Sequence, residues 1–308
     1  MTCPACGVDV LELDVFIFSF NRGAWLANLL SSIERHVDPA LSARLVIFDD
    51  HSTELETLNV LAAARSNGVE ILHATEFHLR KRGSRGGLHA GIEAALAQVA
   101  RPGSLALLLQ DDMQIIRPVK TEDIANFHVL ASRSGNPFVY VNFWTGGREF
   151  RVGSMEWRDG YYVKHSRREG RYRHYTDVCI VNVDVLRASP FRFHSSEKAM
   201  DHEAARHFGP MAWSPYPVSA MLPDPVVYRD GEAMEGRIYR FNCWDAATTE
   251  GFLLRPVPEN LPIAEDFLTL EGRQLPAPWK YGVESTKWQR LTRALRRLNG
   301  KRPVRIKP

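Results

Sequence analysis

Residues 104–114 read Ser-Leu-Ala-Leu-Leu-Leu-Gln-Asp-Asp-Met-Gln, and this segment sets the expectations for the rest of the chain. A short, uninterrupted apolar run followed by two acids predicts a buried strand that presents carboxylates at its exposed end. Hard divalent cations such as Mg²⁺ and Mn²⁺ take oxygen ligands, usually one or two carboxylates together with substrate phosphates. Asp111 and Asp112 therefore suit a metal bound to a nucleotide, although aspartate is also common in ordinary turns.

Upstream of this segment, predicted strands alternate with predicted helices. The apolar runs at 14–20, 45–48 and 69–72 are typical of strands, and helical spacing follows each of them, beginning with Leu26, Leu29 and Ile33. Such alternation predicts an α/β fold with a mostly parallel central sheet and helices on both faces. Ligands of such sheets bind beyond the carboxyl ends of the strands.

Three polar clusters follow three of these strands directly. They are Asn21 with Arg22, then Asp49 with Asp50, and finally Asp111 with Asp112. Because the carboxyl ends of parallel strands meet at one edge, we expect the clusters to converge on one rim. Each cluster alone would be unremarkable, and their convergence is what predicts a binding site.

The pattern changes after Pro118. The sequence there predicts short strands and turns, with strands at 139–144 and 177–181 and a helix at 198–208 that contains Asp201. We divide the chain into an N-terminal segment (1–13), a domain at 14–220 with halves at 14–118 and 119–220, a Pro-rich extension (221–284) and a basic tail (285–308).

Composition limits the class of protein. The chain has 308 residues, 44% hydrophobic composition and four cysteines, which fits one large domain with an extension and gives no disulfide framework. No apolar run reaches the roughly 20 residues that cross a bilayer, and no secretory leader is seen, so a cytoplasmic protein is expected. Cys3 and Cys6 form a CxxC pair without a second pair, which we interpret as incidental.

Charge is distributed unevenly along the chain. Residues 285–308 hold nine Lys or Arg and no acid, so the remaining 30 basic and 36 acidic residues leave the body at −6. Trp288, Leu291, Leu295 and Leu298 lie at helical spacing among these basic residues, as in a basic amphipathic helix. The helix either lies on an anionic membrane surface or docks onto the domain, and nucleic acid is not expected as a partner.

With these residues in hand, positions 14–118 resemble a glycosyltransferase family 2 domain of the GT-A fold. The resemblance rests on Ser19-Phe20-Asn21-Arg22, on Phe48-Asp49-Asp50-His51-Ser52, loosely on residues 86–92, and on Gln110-Asp111-Asp112. It implies that Asp49 or Asp50 holds uracil or ribose, that Asp112 binds Mn²⁺ or Mg²⁺, and that Asp111 lies nearer the ribose or a second metal position. Gln110 stands where many members carry a further acid.

The same resemblance covers 175–210 more weakly and points to a general base there. Asp201 is the best match, and Asp177 and Glu197 remain alternatives. From the residues themselves, Arg85 and its neighbours Arg80, Lys81 and Arg82 are able to neutralise a pyrophosphate, although such runs are commonly solvated loops. Trp144, Trp157, Trp213 and Trp244 are either sugar platforms or core residues.

The implied activity is metal-dependent, inverting transfer of a sugar from a nucleoside diphosphate sugar, with a UDP-sugar preferred, to a glycan or lipid-linked acceptor. Two alternatives stay open. One is a nucleotidyltransferase, which would be expected to show a glycine-rich phosphate loop near the first strand. The other is a sugar-nucleotide or glycan-binding protein that keeps the fold without catalysis.

Overall fold

The structure is a computed structural model. It describes residues 12–41, 43–73, 87–99, 101, 103–115, 118–143, 155–158, 160–164, 174, 176, 178–194, 196–214, 218–221, 226–229 and 232–235. The predictions for the following residues lie outside this set: Cys3, Cys6, Arg80, Lys81, Arg82, Arg85, Trp144, Asp177, Trp244 and the tail 285–308, together with the side chain of Trp157.

The first half of the chain alternates between strands and helices, as the sequence predicts. Its elements are β1 (Leu13–Ser19), α1 (Gly23–His36), β2 (Ala43–Asp49), α2 (Leu55–Ser66), β3 (Glu70–His73), α3 (Gly87–Gln98) and β4 (Leu105–Gln110). Apolar residues of α1 at helical spacing, among them Leu26, Leu29 and Ile33, are buried. The predicted α/β class is confirmed.

The second half contains shorter elements. They are β5 (Met113–Ile115), α4 (Thr121–Ser134), β6 (Phe138–Tyr140), β7 (Asn142–Phe143), β8 (Met155–Arg158), β9 (Tyr161–Lys164), β10 (Ile180–Asn182), α5 (Val183–Arg187), α6 (Glu197–His207), β11 (Ala212–Trp213), β12 (Ser219–Met221), β13 (Val226–Arg229) and β14 (Glu232–Glu235). The helix predicted at 198–208 is confirmed as α6. β12 includes residue 220, so the domain boundary predicted at that residue falls inside a strand.

The expectation of only short strands and turns just after Pro118 is wrong, because α4 is a helix of 14 residues. It buries Ile124, Phe127 and Ala131 on one face, and Gly135 ends it with a left-handed backbone at φ 62°. Glycine adopts that conformation without a steric penalty, so it commonly follows a helix. The helical spacing and its terminating glycine were both present in the sequence.

The strand expected at 139–144 is divided between two sheets. β6 belongs to the large sheet, whereas β7 belongs to a sheet of three strands with the order β5-β12-β7. The strand expected at 177–181 is shorter than predicted and lies at Ile180–Asn182 as β10.

The large sheet has nine strands among the described residues, in the order β3-β2-β1-β4-β10-β6-β11-β9-β8. β1, β2, β3 and β4 run parallel, β10 is antiparallel to both of its neighbours, β11 is parallel to β6, and β9 is antiparallel to β11 and β8. Only β9 and β10 therefore run in the opposite direction to the other strands of this sheet. The sheet is mostly parallel, as predicted.

The central strands β1 and β4 are covered on both faces. Val15, Phe16 and Ile17 of β1 and the whole run Leu105–Leu109 of β4 have no exposed surface. Consecutive buried residues point to opposite faces of a strand, so both faces of the sheet are packed there. No helix in the described part of the chain has the length and apolarity that crossing a membrane requires.

Candidate functional site

A cavity of about 260 Å³ opens where β1, β2 and β4 end, beside the first turns of α3. The register places Ser19 of β1 opposite Asp49 of β2, and Phe18 opposite Gln110 of β4, so the three strands end at the same level. The residues that line the cavity are Phe18, Ser19, Phe20, Arg22, Phe48, Asp49, Asp50, Gly87, Leu88, Gly91, Gln110 and Asp111. The predicted convergence of the three polar clusters is therefore observed.

Asn21 ties the turn after β1 to the loop after β2. Its backbone N–H donates to Oγ of Ser52 at 2.9 Å, and its Oδ1 accepts from the backbone N–H groups of Thr53 at 2.7 Å and Glu54 at 3.1 Å. Its φ is 50°, in the left-handed region that asparagine tolerates better than most residues. Asn21 does not line the cavity, so its contribution is to hold the two loops together.

The adjacent acids Asp49 and Asp50 face different surroundings. Asp49 is 2% exposed and accepts hydrogen bonds from the backbone N–H and the hydroxyl of Ser52, while Nδ1 of His73 lies 3.3 Å from its Oδ2. Asp50 is half-buried, and its Oδ2 lies 2.8 Å from the position that a Cβ on Gly87 would take. Asp49 thus organises its own loop, whereas the carboxylate of Asp50 lies between that loop and α3.

Asp111 and Asp112 follow β4, and both carboxylates contact the guanidinium of Arg22. The backbone N–H of Phe20 donates to Oδ2 of Asp111 at 2.9 Å, and Nη1 of Arg22 lies 2.8 Å from Oδ1 of Asp111 and 3.0 Å from Oδ2 of Asp112. Both acids are buried, at 3% and 7% exposure, so the predicted exposed end of β4 is wrong. The loop after β1 covers that end.

Burial is the main electrostatic influence on Asp111. It raises the pKa of this carboxyl to about 7, and the charge of Asp112 acts in the same direction. Arg22 and the N–H of Phe20 oppose this rise of the pKa because they stabilise the carboxylate.

The donor set fits a hard cation that also binds a ligand. Within the described residues, no group of three or more His, Cys, Asp or Glu side chains is arranged to hold a metal. Asp111 lines the cavity, and Asp112 is buried and shares the Arg22 guanidinium with it. Such a pair of carboxylates matches the way Mg²⁺ is held by one or two acids and completed by phosphate oxygens and water. Asp111 and Asp112 are the residues that would hold it.

Asp201, the expected base, is not among the residues that line the cavity. It is 3% exposed on α6, and its Oδ1 accepts from the backbone N–H of His174 at 3.0 Å and lies 3.2 Å from Nδ1 of the same residue. Nε2 of His174 lies 3.2 Å from the carbonyl oxygen of Gly209, which is able only to accept a hydrogen bond. No motif in the sequence marks His174.

Glu197, an alternative base, lies in the first turn of α6 and is exposed. Burial lowers the pKa of His89 on α3, and the charge of Glu197 partly opposes that shift. The first turn of α6 therefore lies near α3, the helix that lines the cavity.

The apolar residues of the cavity were missed by sequence reasoning. Phe18 and Phe48 have ring centroids 5.5 Å apart, and Phe20 and Leu88 extend the apolar lining. The sequence signal that could have indicated Phe18, Phe20 and Phe48 is their position next to the polar residues at the strand ends. Trp213, considered as a sugar platform, is 4% exposed with its ring 4.1 Å from that of Tyr140, so it is a core residue.

Sequence comparisons identify no relative: no family model matches the chain, and no curated protein matches it. Among solved structures, it is similar to Staphylococcus aureus TarS, at 16% identity and a TM-score of 0.48 over 70% of this chain. A structure of TarS 1–349 in complex with UDP-GlcNAc matches at 14% identity and a TM-score of 0.45, over 85% of this chain and 71% of that one.

A third similar structure is glucosyl-3-phosphoglycerate synthase from Mycobacterium tuberculosis in complex with phosphoglyceric acid. It matches at 15% identity and a TM-score of 0.43, over 73% of this chain and 80% of that chain. The chain spans only 37% of the first TarS structure and 60% of a second one.

Proposed function

We propose that this protein is a metal-dependent inverting glycosyltransferase that uses a nucleoside diphosphate sugar, preferably a UDP-sugar. One observation carries the proposal: Asp50, Arg22 and Asp111 line one cavity at the carboxyl ends of three neighbouring parallel strands. Such a position is where open α/β sheets bind nucleotides. The resemblance of residues 14–118 to glycosyltransferase family 2 supports the same activity.

Each side of the cavity suits a different part of the donor. The apolar rings of Phe18, Phe20 and Phe48 offer contact area for a base, and the carboxylate of Asp50 is able to accept hydrogen bonds from base or ribose. The guanidinium of Arg22 suits the diphosphate, because its planar donors match phosphate oxygens. Asn21 positions the first loop through its bonds to Ser52, Thr53 and Glu54, and Ser19 lines the cavity.

In the proposed reaction, an acceptor hydroxyl attacks the anomeric carbon as the bond to the diphosphate oxygen breaks, and the configuration at that carbon inverts. A carboxylate takes the proton of the hydroxyl as general base. We assign that role to Asp201 from the resemblance, with exposed Glu197 as the alternative. When bound by Asp112 and Asp111, Mn²⁺ or Mg²⁺ would supply positive charge to the leaving nucleoside diphosphate.

The acceptor is proposed to be a glycan or lipid-linked hydroxyl. We further propose that the protein is cytoplasmic and that residues 285–308, with nine basic residues and no acid, attach it to an anionic membrane surface. This segment lies outside the described residues, so its sequence alone supports the proposal.

The test is donor binding and donor hydrolysis by the purified protein. We expect calorimetry to show that UDP binds only with Mn²⁺, and that UDP-sugars are slowly hydrolysed under the same conditions. Asp112→Ala should lose the Mn²⁺-dependent binding, whereas Glu34→Gln, an exposed acid on α1, should behave as wild type. If UDP, GDP and TDP all bound Asp112→Ala as well as wild type, the metal assignment would be wrong.

The same measurements separate the two alternatives. Nucleotide binding without any hydrolysis or transfer would indicate a sugar-nucleotide-binding protein. Release of pyrophosphate from a nucleoside triphosphate and a sugar phosphate would indicate a nucleotidyltransferase.

A further inference from the structure

One guanidinium occupies the space between the two acids that are proposed to hold a cation. Nη1 of Arg22 is 2.8 Å from Oδ1 of Asp111 and 3.0 Å from Oδ2 of Asp112. The side chains of Arg22, Asp111 and Asp112 are only 17%, 4% and 10% exposed. Water therefore weakens these contacts less than it weakens ion pairs on a surface.

A divalent cation and this guanidinium compete for the same oxygens. Mg²⁺ contacts carboxylate oxygens at about 2.0–2.1 Å. A cation held by both acids would lie close to this guanidinium, and like charges repel strongly in a medium of low dielectric constant. Arg22 must leave the acids before a cation takes both of them.

The backbone around Arg22 is fixed by contacts on both sides. Asn21 is bonded to Ser52, Thr53 and Glu54, and a Cβ on Gly23 would lie 2.7 Å from backbone atoms of Glu56 and Thr57. The loop therefore has little room to move as a whole. Rotation of the long arginine side chain is the available way to release the acids.

Arg22 also lines the cavity, so its rotated guanidinium stays within the proposed donor site. Phosphate oxygens bind guanidinium through two parallel hydrogen bonds and would replace the carboxylates that Arg22 gives up. The exchange keeps one positive charge at the site and frees two carboxylates for the metal.

We propose that Arg22 is a positioning residue that blocks the cation site of the nucleotide-free protein and transfers to the diphosphate when the donor binds. This inference rests on the proposed function. Its consequence is that nucleotide and cation bind interdependently, each raising the affinity for the other by the same factor.

The test measures Mn²⁺ affinity of the full chain by electron paramagnetic resonance of free Mn²⁺, without nucleotide and with UDP. Without nucleotide, Arg22→Gln should bind Mn²⁺ roughly tenfold more tightly than wild type, which corresponds to the loss of about 1.4 kcal/mol of competition. With UDP, wild-type affinity should rise and that of Arg22→Gln should rise less.

Arg35→Gln is the matched control. It removes the same charge from the last turn of α1, 13 residues along the chain and therefore about 20 Å away along the helix axis, and should match wild type. Arg22→Lys is a second variant in case Arg22→Gln unfolds, since a compact ammonium binds two carboxylates less well. Its Mn²⁺ affinity should be intermediate, and thermal melts show which variants are folded.

Wild-type or weaker Mn²⁺ affinity in the folded Arg22 variants without nucleotide would overturn the inference, even if UDP binds as proposed. Tighter Mn²⁺ binding by Arg22→Gln supports it. If no protein then bound UDP, the proposed function would fail while the role of Arg22 at the cation site would stand.

Discussion

Asp49 and Asp50 are neighbours in sequence, yet they differ in what they contact. Asp49 is almost fully buried and bonded to Ser52, whereas Asp50 lies against the start of α3 at the cavity. A buried acceptor that loses its partners costs about 1–3 kcal/mol. We expect Asp49→Asn to lower the free energy of unfolding by this amount.

Asp50→Asn should leave stability nearly unchanged and weaken UDP binding at least tenfold. Chemical denaturation and calorimetry on the two variants measure both quantities. Equal loss of stability in the two variants would show that the acids act together as structure.

Asp201 and Glu197 provide a second contrast at the residue scale. A general base acts on the acceptor and not on the nucleotide, so Asp201→Asn should retain UDP binding and lose transfer. Glu197→Gln should retain both. Donor binding by calorimetry and single-turnover transfer decide between them: an active Asp201→Asn with an inactive Glu197→Gln would move the base to Glu197 and leave Asp201 as the partner of His174.

His89 predicts a pH dependence of stability. Its pKa is lowered from 6.5 mainly by burial, against the charge of Glu197, so the unfolded chain binds a proton more readily. Stability from neutral His89 is thus present above pH 6.5 and is lost as the pH falls through the lower pKa of the folded state. Asp111, with its pKa raised to about 7, acts in the opposite direction in the same range.

The contribution of His89 is therefore isolated by comparing the pH dependence of stability between wild type and His89→Gln. We expect the free energy of unfolding of His89→Gln to fall less than that of wild type between pH 7 and pH 5. Parallel pH curves from urea denaturation would count against a buried, neutral His89.

At the scale of elements, the approach of α3 to the loop after β2 depends on Gly87. A Cβ there would lie 2.8 Å from Oδ2 of Asp50, so Gly87→Ala must displace that carboxylate. We expect at least tenfold weaker UDP binding with a modest loss of stability. Gly68→Ala is the control: its φ of 85° costs about 1–2 kcal/mol of stability, but no atom lies within 4 Å of its Cβ, so nucleotide affinity should not change.

Elements differed in how well their own sequences predicted them. β1, β2 and β4 were found because each contains an uninterrupted apolar run, and α1 because its apolar residues recur at helical spacing. α4 was missed although Ile124, Phe127 and Ala131 show a helical period, because many polar and charged residues lie between them and obscure it. β11 has two residues, too few for any period, and its pairing with β6 and β9 defines it, whereas β7 lies within the strand expected at 139–144.

At the scale of the whole molecule, the basic tail (285–308) has two alternative roles, which are attachment to a membrane and docking onto the domain. Each basic residue near an anionic leaflet contributes about 1 kcal/mol before screening, and this attraction weakens as salt shortens its range. We expect the full chain to sediment with phosphatidylglycerol vesicles at low salt and less at high salt. A chain ending at Glu284 should stay in solution, and equal sedimentation of the two would assign the tail a structural role only.

The sequence by itself determined the α/β class, the first four parallel strands and the clusters at their ends, because buried strands and turn residues leave local patterns. Tertiary structure decided how deeply each of those acids is buried and which residues it contacts. Asp49 lies beside His73, 24 residues along the chain, Asp111 and Asp112 were buried by the loop after β1, and Asp201 met His174 across 27 residues of chain. Local sequence does not encode such long-range partners, since they depend on how separate elements pack together.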